Sequence, residues 1–237
     1  MSKCCAIAPL FALLALLPPA ATAAEVEESY QFASAWEDSY DSEVFLLQSI
    51  TLDPERELVS PANKYLSADA EATTLSFRAE SGFSSPRACS AESDIGISNL
   101  TLEASSNSGL FFAGGEISLS SVTLLIGAET AADTPLFVGE SGVSLSKVTI
   151  DLTACGADAF TSGLSFTLFE TGGEAFSDDV LNDISLIGAD GATTHAALSL
   201  ADGGQSLILT LTPEPGSATL CLLALAALSL RRRRPKD

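Results

Sequence analysis

Basic residues are scarce where most of this chain lies. Between Glu25 and Thr212 there are five, Arg56, Lys64, Arg78, Arg87 and Lys147, against 29 acidic ones, a formal charge of 5 − 29 = −24. The whole chain of 237 residues carries only −20, because four arginines and Lys236 crowd its far end. A middle so acidic repels phosphate backbones, which excludes nucleic acid and leaves cations, cationic surfaces and neutral glycans as partners. Histidine occurs once, as His195, with no His or Cys at ligand spacing. No Gly-x-Ser-x-Gly turn offers a nucleophile. No EF-hand spacing, glycine-rich calcium nonapeptide or phosphate-cradling glycine loop occurs either. Cysteine is thin as well: Cys4, Cys5 and Cys221 fall in the terminal segments, so Cys89 and Cys155 are the only two between them. Two such cysteines make neither a disulfide framework nor a zinc site; they either pair once or remain two buried thiols. Finally, the middle lacks any stretch with a helical period over several turns.

What is present begins with an export signal. Lys3 supplies a positive start, Ala6 to Leu17 an apolar run, and Ala21-Thr22-Ala23 a small-residue cleavage pattern, so residues 1–24 read as a signal helix removed after Ala23 or Ala24 by signal peptidase. The apolar run is 12 residues long, short of the roughly 20 that a spanning helix needs, and Pro18-Pro19 ends it.

The middle, residues 25–212, reads as one all-β ectodomain. An acidic, aromatic opening (Tyr30, Phe32, Trp36, Tyr40) precedes a strand-like run from Glu43 to Leu52; these rings either cap a small core or form a sugar-stacking platform. A second run covers Ala72 to Ala79. Three stretches then alternate apolar and hydroxyl residues, Ile97 to Leu102, Ile117 to Leu124 and Val143 to Ile150, each with one apolar and one hydroxylated face. Aligning their shared endings puts Leu100, Val122 and Val148 in register at spacings of 22 and 26. Between them stand Phe111-Phe112 before Gly114-Gly115, Leu136-Phe137-Val138 before Gly139, and Phe160 before Gly163. A degenerate period in the twenties, with two strands and two turns per unit, predicts a parallel β-helix (solenoid); a β-sandwich of hairpins is the alternative. Further strands are expected over Leu164 to Phe169, Asp183 to Ile187, Ala196 to Leu200 and Ser206 to Thr212. In a solenoid of this period Cys89 and Cys155 stand about three coils, roughly 14 Å, apart, beyond the about 7 Å that a disulfide spans.

Carboxylates are the chemistry on offer. Asp178, Asp179 and Asp183, with Asn182, are the candidate calcium ligands, with solvated turn acids as the competing reading; for paired-acid glycoside hydrolysis the closest clusters are Glu37-Asp38 with Asp41 and Glu43, and Asp178-Asp179 with Asp183. No cofactor is expected.

Residues 213–237 read as an address label. Pro213-Glu214-Pro215 hold an extended leader, Ser217 to Leu230 form an apolar helix, and Arg231, Arg232, Arg233 and Arg234 form a cationic stop that stays cytoplasmic. The helix is 14 residues, about 21 Å against about 30 Å of hydrocarbon, so it suits a transient anchor better than a permanent one. These three parts in this order resemble the PEP-CTERM sorting signal of Gram-negative bacteria, over about a tenth of the chain. The resemblance implies an exosortase-like membrane enzyme as a partner, an inner-membrane intermediate, and a final place at the cell surface or in the extracellular polysaccharide matrix. The expected protein is therefore a non-enzymatic, structural or adhesive surface protein; the alternative is a glycan-active β-helix enzyme working through acidic residues.

Overall fold

A computed structural model of the chain describes residues 23–213, apart from 41, 54, 70–71, 79–86, 105–108, 128–129, 131–133, 156–163 and 189–193. In chain order the elements are β1 (Ala24–Val26), α1 (Ser29–Glu37), β2 (Glu43–Leu46), β3 (Ile50–Leu52), β4 (Leu58–Ser60), β5 (Lys64–Ala68), β6 (Thr74–Phe77), β7 (Arg87–Ala91) and β8 (Ile95–Ala104). They continue with β9 (Gly109–Ala113), β10 (Glu116–Ile126), β11 (Phe137–Gly139), β12 (Gly142–Ser146), β13 (Val148–Asp151), β14 (Ser165–Thr171), β15 (Ile184–Ile187), β16 (Thr194–Ala201) and β17 (Ser206–Pro213). The described residues are mostly β, with α1 and two short 3-10 turns the other elements among them.

One sheet of ten strands runs β1-β2-β5-β8-β10-β13-β15, with β6 beside β8, β3 beside β6 and β12 beside β10, and its described pairs are parallel. The other runs β4-β7-β9-β11-β14 in parallel and closes with β17 and β16 as antiparallel neighbours. The expected register is observed: Leu100 faces Val122 in the β8–β10 ladder, and Thr123 faces Thr149, which carries Val122 to Val148.

Alternation along these strands is not strict, and the break has a cause. Asn99, Ser121 and Lys147 all adopt the left-handed backbone, with φ of 55°, 54° and 53°. Each inserts one residue between two inward-facing apolar ones, Ile97 and Leu100 or Leu119 and Val122, so the inside-outside phase slips by one at every rung. The three positions stack with the same spacings of 22 and 26, forming a bend that runs across the sheet. Asparagine tolerates this backbone most cheaply; serine and lysine hold it at a cost of about 1–2 kcal/mol each.

The core fills the space between the sheets. Its spine is a column in the second sheet, where Leu58, Cys89, Phe111, Phe137, Phe169 and Leu207 succeed one another as register partners. Phe111 and Phe137 stack with centroids 5.9 Å apart, Phe137 and Phe169 with centroids 5.1 Å apart. A second column of contacts follows the corner after these strands, where Gly114, Glu140 and Gly172 each donate a backbone hydrogen bond to the preceding turn. The approach there is close: a Cβ on Gly173 would lie 1.9 Å from the Ser141 carbonyl oxygen. Phe169 before Gly172-Gly173 is thus the third member of the aromatic-glycine series, in place of Phe160 before Gly163, whose glycine and phenylalanine lie outside the described residues.

The described residues include one α-helix, α1, too short to show a helical period over several turns. Gln31 Oε1 accepts from the Glu27 and Glu28 amides at 2.8 and 3.0 Å, which caps the first turn. Phe32, Ala35 and Trp36 then form one short apolar stripe against the end of the sheets, too brief for a periodicity signal. Trp36 is fully buried, packs on Phe32 and on Phe111 with centroids 5.6 and 5.5 Å away, and donates from Nε1 to the Ser90 carbonyl at 3.0 Å. At the helix's other end the buried Lys64 donates from Nζ to the Ala35 and Asp38 carbonyls at 2.8 and 2.6 Å. A cation there meets the negative end of the helix dipole.

Candidate functional site

Strand geometry sends alternate side chains outward, and register then lines up equivalent positions from rung to rung. On the ten-stranded sheet this produces columns of hydroxyls. Ser67, Ser98, Ser120 and Ser146 form one. Thr74, Thr101, Thr123, Thr149 and Ser185 form another, and within it the Thr149 and Ser185 hydroxyls are 3.0 Å apart. A third begins Glu43, Tyr65, Gly96 and continues with Ser118 and Ser144. Tyr65 is 47% exposed, and its ring leans over Gly96: a Cβ at that position would sit 2.6 Å from Tyr65 Cδ1. The ring takes the room that any other residue's side chain would occupy. Tyr65, Ser67, Gly96, Ser98, Ser118 and Ser120 line a shallow groove of about 380 Å³, together with Glu43, the register partner of Tyr65.

Sequence reasoning missed Tyr65 and Gly96 because it placed no strand over residues 64–68. The signal was available: Leu66-Ser67, Ile97-Ser98, Leu119-Ser120 and Leu145-Ser146 repeat an apolar-serine pair once per rung.

The acidic candidates sit elsewhere. Asp178, Asp179 and Asp183 share one 3-10 turn, Asp178–Asp183. Asp179 and Asp183 border a second groove, of about 450 Å³, together with Glu116 and Glu174 and with Val143, Phe176 and Val180 between them. Among the described residues no three His, Cys, Asp or Glu side chains are grouped so as to hold a metal ion. The aromatic opening divides: Phe32 and Trp36 are core, while Tyr30 and Tyr40 are exposed at 66% and 81%. His195 lies in β16.

Cys89 and Cys155 are unpaired and buried. Burial pushes the Cys89 thiol well up, with the Glu57 and Glu37 carboxylates adding to it; burial raises Cys155 too, with Asp151 adding. Neither thiol has the electropositive setting of a nucleophile. Cys155 Sγ instead donates to the Ile126 carbonyl at 3.1 Å. Glu37 is held below the usual glutamate range first by its hydrogen bonds from Arg56, which makes it an ion-pair partner rather than a proton donor.

The sorting residues fall at the edges of the described region. Ala24 opens β1 opposite Val44, and Ala23 stands just before it. Pro213 closes β17 opposite Thr194, whereas Glu214, Pro215 and Arg231 to Arg234 lie outside the described residues, as does most of the signal segment 1–24. Among the described residues no helix is long and apolar enough to cross a membrane.

Fold and site together define an acidic all-β protein with a hydroxyl-lined outer face. Comparison with protein-family models, with curated proteins and with solved structures returned no match.

Proposed function

We propose that this is an exported surface or matrix protein of structural or adhesive role, delivered by a PEP-CTERM type of sorting tail and built as a short parallel β-solenoid. The observation that carries the sorting reading is where the described strands lie. Among the described residues the first strand opens at Ala24 and the last closes at Pro213. Removal of the leader after Ala23 and of the tail within Pro213-Glu214-Pro215 therefore leaves every described strand in place. Cleavage after Ala24 would cost β1 one of its three residues, which favours the Ala23 bond.

The solenoid reading draws on the ladders. Partners are 22 residues apart between β8 and β10 and 26 apart between β10 and β13, in parallel and in order along the chain. Hairpins, the basis of a sandwich, pair antiparallel, and among the described residues such pairs are confined to β14, β16 and β17 at one end of the second sheet. Coils of this kind offer long, regular, side-chain-lined surfaces, which suits a scaffold or adhesin.

The test is the intact mass of the protein recovered from its own host. The mature form is expected to begin at Ala24 and to lack Arg231 to Arg234. Recovery of the surface-exposed protein with the arginines still attached refutes tail processing. Reducing-sugar release on the same material checks the enzymatic alternative, and turnover abolished by Asp178→Asn, Asp179→Asn and Asp183→Asn would replace the structural reading.

A further inference from the structure

We propose that the groove beside Tyr65 binds a neutral hexose polymer lying across the strands, with Tyr65 as the stacking ring and Ser67, Ser98 and Ser120 as a row of hydrogen-bonding groups. The proposal rests on the adhesive reading above and names the face and the ligand class for it.

Three observations carry it. The first is period. Ser67, Ser98 and Ser120 occupy successive rungs in register, so their hydroxyls recur every 4.7–4.9 Å or so. That is close to the distance one sugar adds to an extended hexose chain, and each sugar of a chain running along the column meets an equivalent serine. A serine hydroxyl both donates and accepts, which matches a sugar hydroxyl in either role.

The second is the ring. Tyr65 is half exposed because Gly96 gives it a backbone to lean on rather than a side chain to compete with. An aromatic surface offered next to polar groups packs against the C–H side of a pyranose while its hydroxyl stays wet. The groove, about 380 Å³, is within the range of small-ligand sites and open along the column.

The third is charge. Among its lining residues Glu43 is the single acidic or basic one, on a domain whose formal charge is −24. A polyuronate would be repelled by the surrounding field, and a polycation would gather at the acidic corners instead. A neutral polymer is the class that this uncharged strip selects.

The experiment uses the full chain in detergent micelles, titrated calorimetrically with neutral hexaoses of glucose, mannose and galactose, and with a hexagalacturonate as the charged comparison. At least one neutral hexaose is expected to bind and the hexagalacturonate is not. Tyr65→Ala should weaken binding about tenfold, the factor that 1.4 kcal/mol represents. Ser98→Glu with Ser120→Glu should abolish it, while Ser185→Glu, at the far end of the same face, should leave it unchanged; all variants must melt as the parent does. Binding that survives both groove variants overturns the assignment to this groove and leaves the adhesive reading standing. Failure of every neutral hexaose overturns the proposal, and retention of crude matrix polysaccharide in the same preparation then separates that loss from the loss of adhesion itself. Concentration-dependent self-association blocked by Ser98→Glu and Ser120→Glu would make a second copy the occupant and overturn it as well.

Discussion

Replacing Lys64 by methionine tests whether α1 is fastened to the sheets by a buried cation. Lys64 begins β5, is fully buried, and points its Nζ at the last turn of the helix, 2.8 Å from the Ala35 carbonyl and 2.6 Å from that of Asp38. Methionine keeps most of the length and volume, one heavy atom short, and removes the charge. Each hydrogen bond to a charged group contributes about 1.5–3 kcal/mol, and the favourable end of the helix dipole about 0.3–1 kcal/mol more. Against this stands the cost of taking an ammonium out of water, several kcal/mol before relaxation, which methionine does not incur. The carbonyls decide the sign, because they lose their partner without moving back to water, at about 1–3 kcal/mol for each one left unsatisfied. A net loss of about 2–4 kcal/mol follows, or about 4–16 °C in melting temperature at 2–4 °C per kcal/mol for a domain of this size. Differential scanning calorimetry measures the total. Limited proteolysis between residues 29 and 42 reports whether the helix lifts off first, as it should. A Lys64→Met protein as stable as the parent, with an uncut helix, would show that desolvation outweighs capping and would refute the argument.

Two further outcomes follow from the bend and from the Arg56–Glu37 ion pair. Ser121→Asn should stabilise the domain by a few tenths to about 1 kcal/mol, because asparagine adopts the left-handed backbone more cheaply, while Ser121→Val should destabilise it by more than about 1 kcal/mol; chemical denaturation midpoints read both. The Arg56–Glu37 pair lowers the glutamate's folded-state value below its unfolded one, so its stabilisation is present above the ordinary glutamate range and is lost as pH falls through the lowered value. The melting difference between the parent and Arg56→Ala should therefore be largest at neutral pH and low salt, and should shrink both toward pH 3 and with added sodium chloride.

How much of this was legible in the sequence depended on how far each feature extends along the chain. The β8, β10 and β12–β13 rungs could be aligned from residues alone because eight or so consecutive positions repeat, and Leu100, Val122 and Val148 proved to be in register. The three-residue strands β1, β3, β4 and β11 are shorter than any period that alternation can establish, so β4 went unseen and β3 merged with β2 into one run. α1 buries only Phe32, Ala35 and Trp36, a stripe of one turn, and its order comes from what it sits on rather than from propensity. The groove was invisible for a related reason. Tyr65 and Gly96 are 31 positions apart, and only the pairing of β5 with β8 makes them neighbours.

The slip in alternation carries a further lesson about where charge is placed. Because Asn99, Ser121 and Lys147 take up the extra residue at the bend, the hydroxyl columns on either side of it stay continuous, and the sheet keeps one uniform outer face. The corner after the second sheet is treated differently. Glu92, Asp94, Glu116, Glu140 and Glu174 are exposed there, one or two per turn, and successive turns sit within hydrogen-bonding distance of each other. Such a row of like charges costs stability through repulsion, and a protein that needed only a fold would gain by spreading them. Concentrated along an edge, they keep copies of the chain apart while the Ser67, Ser98, Ser120 and Ser146 column carries no acidic side chain of its own. That division predicts a solution behaviour: the protein should remain monomeric at low salt and associate more readily as salt screens the corners, while Ser98→Glu and Ser120→Glu should leave that association unchanged.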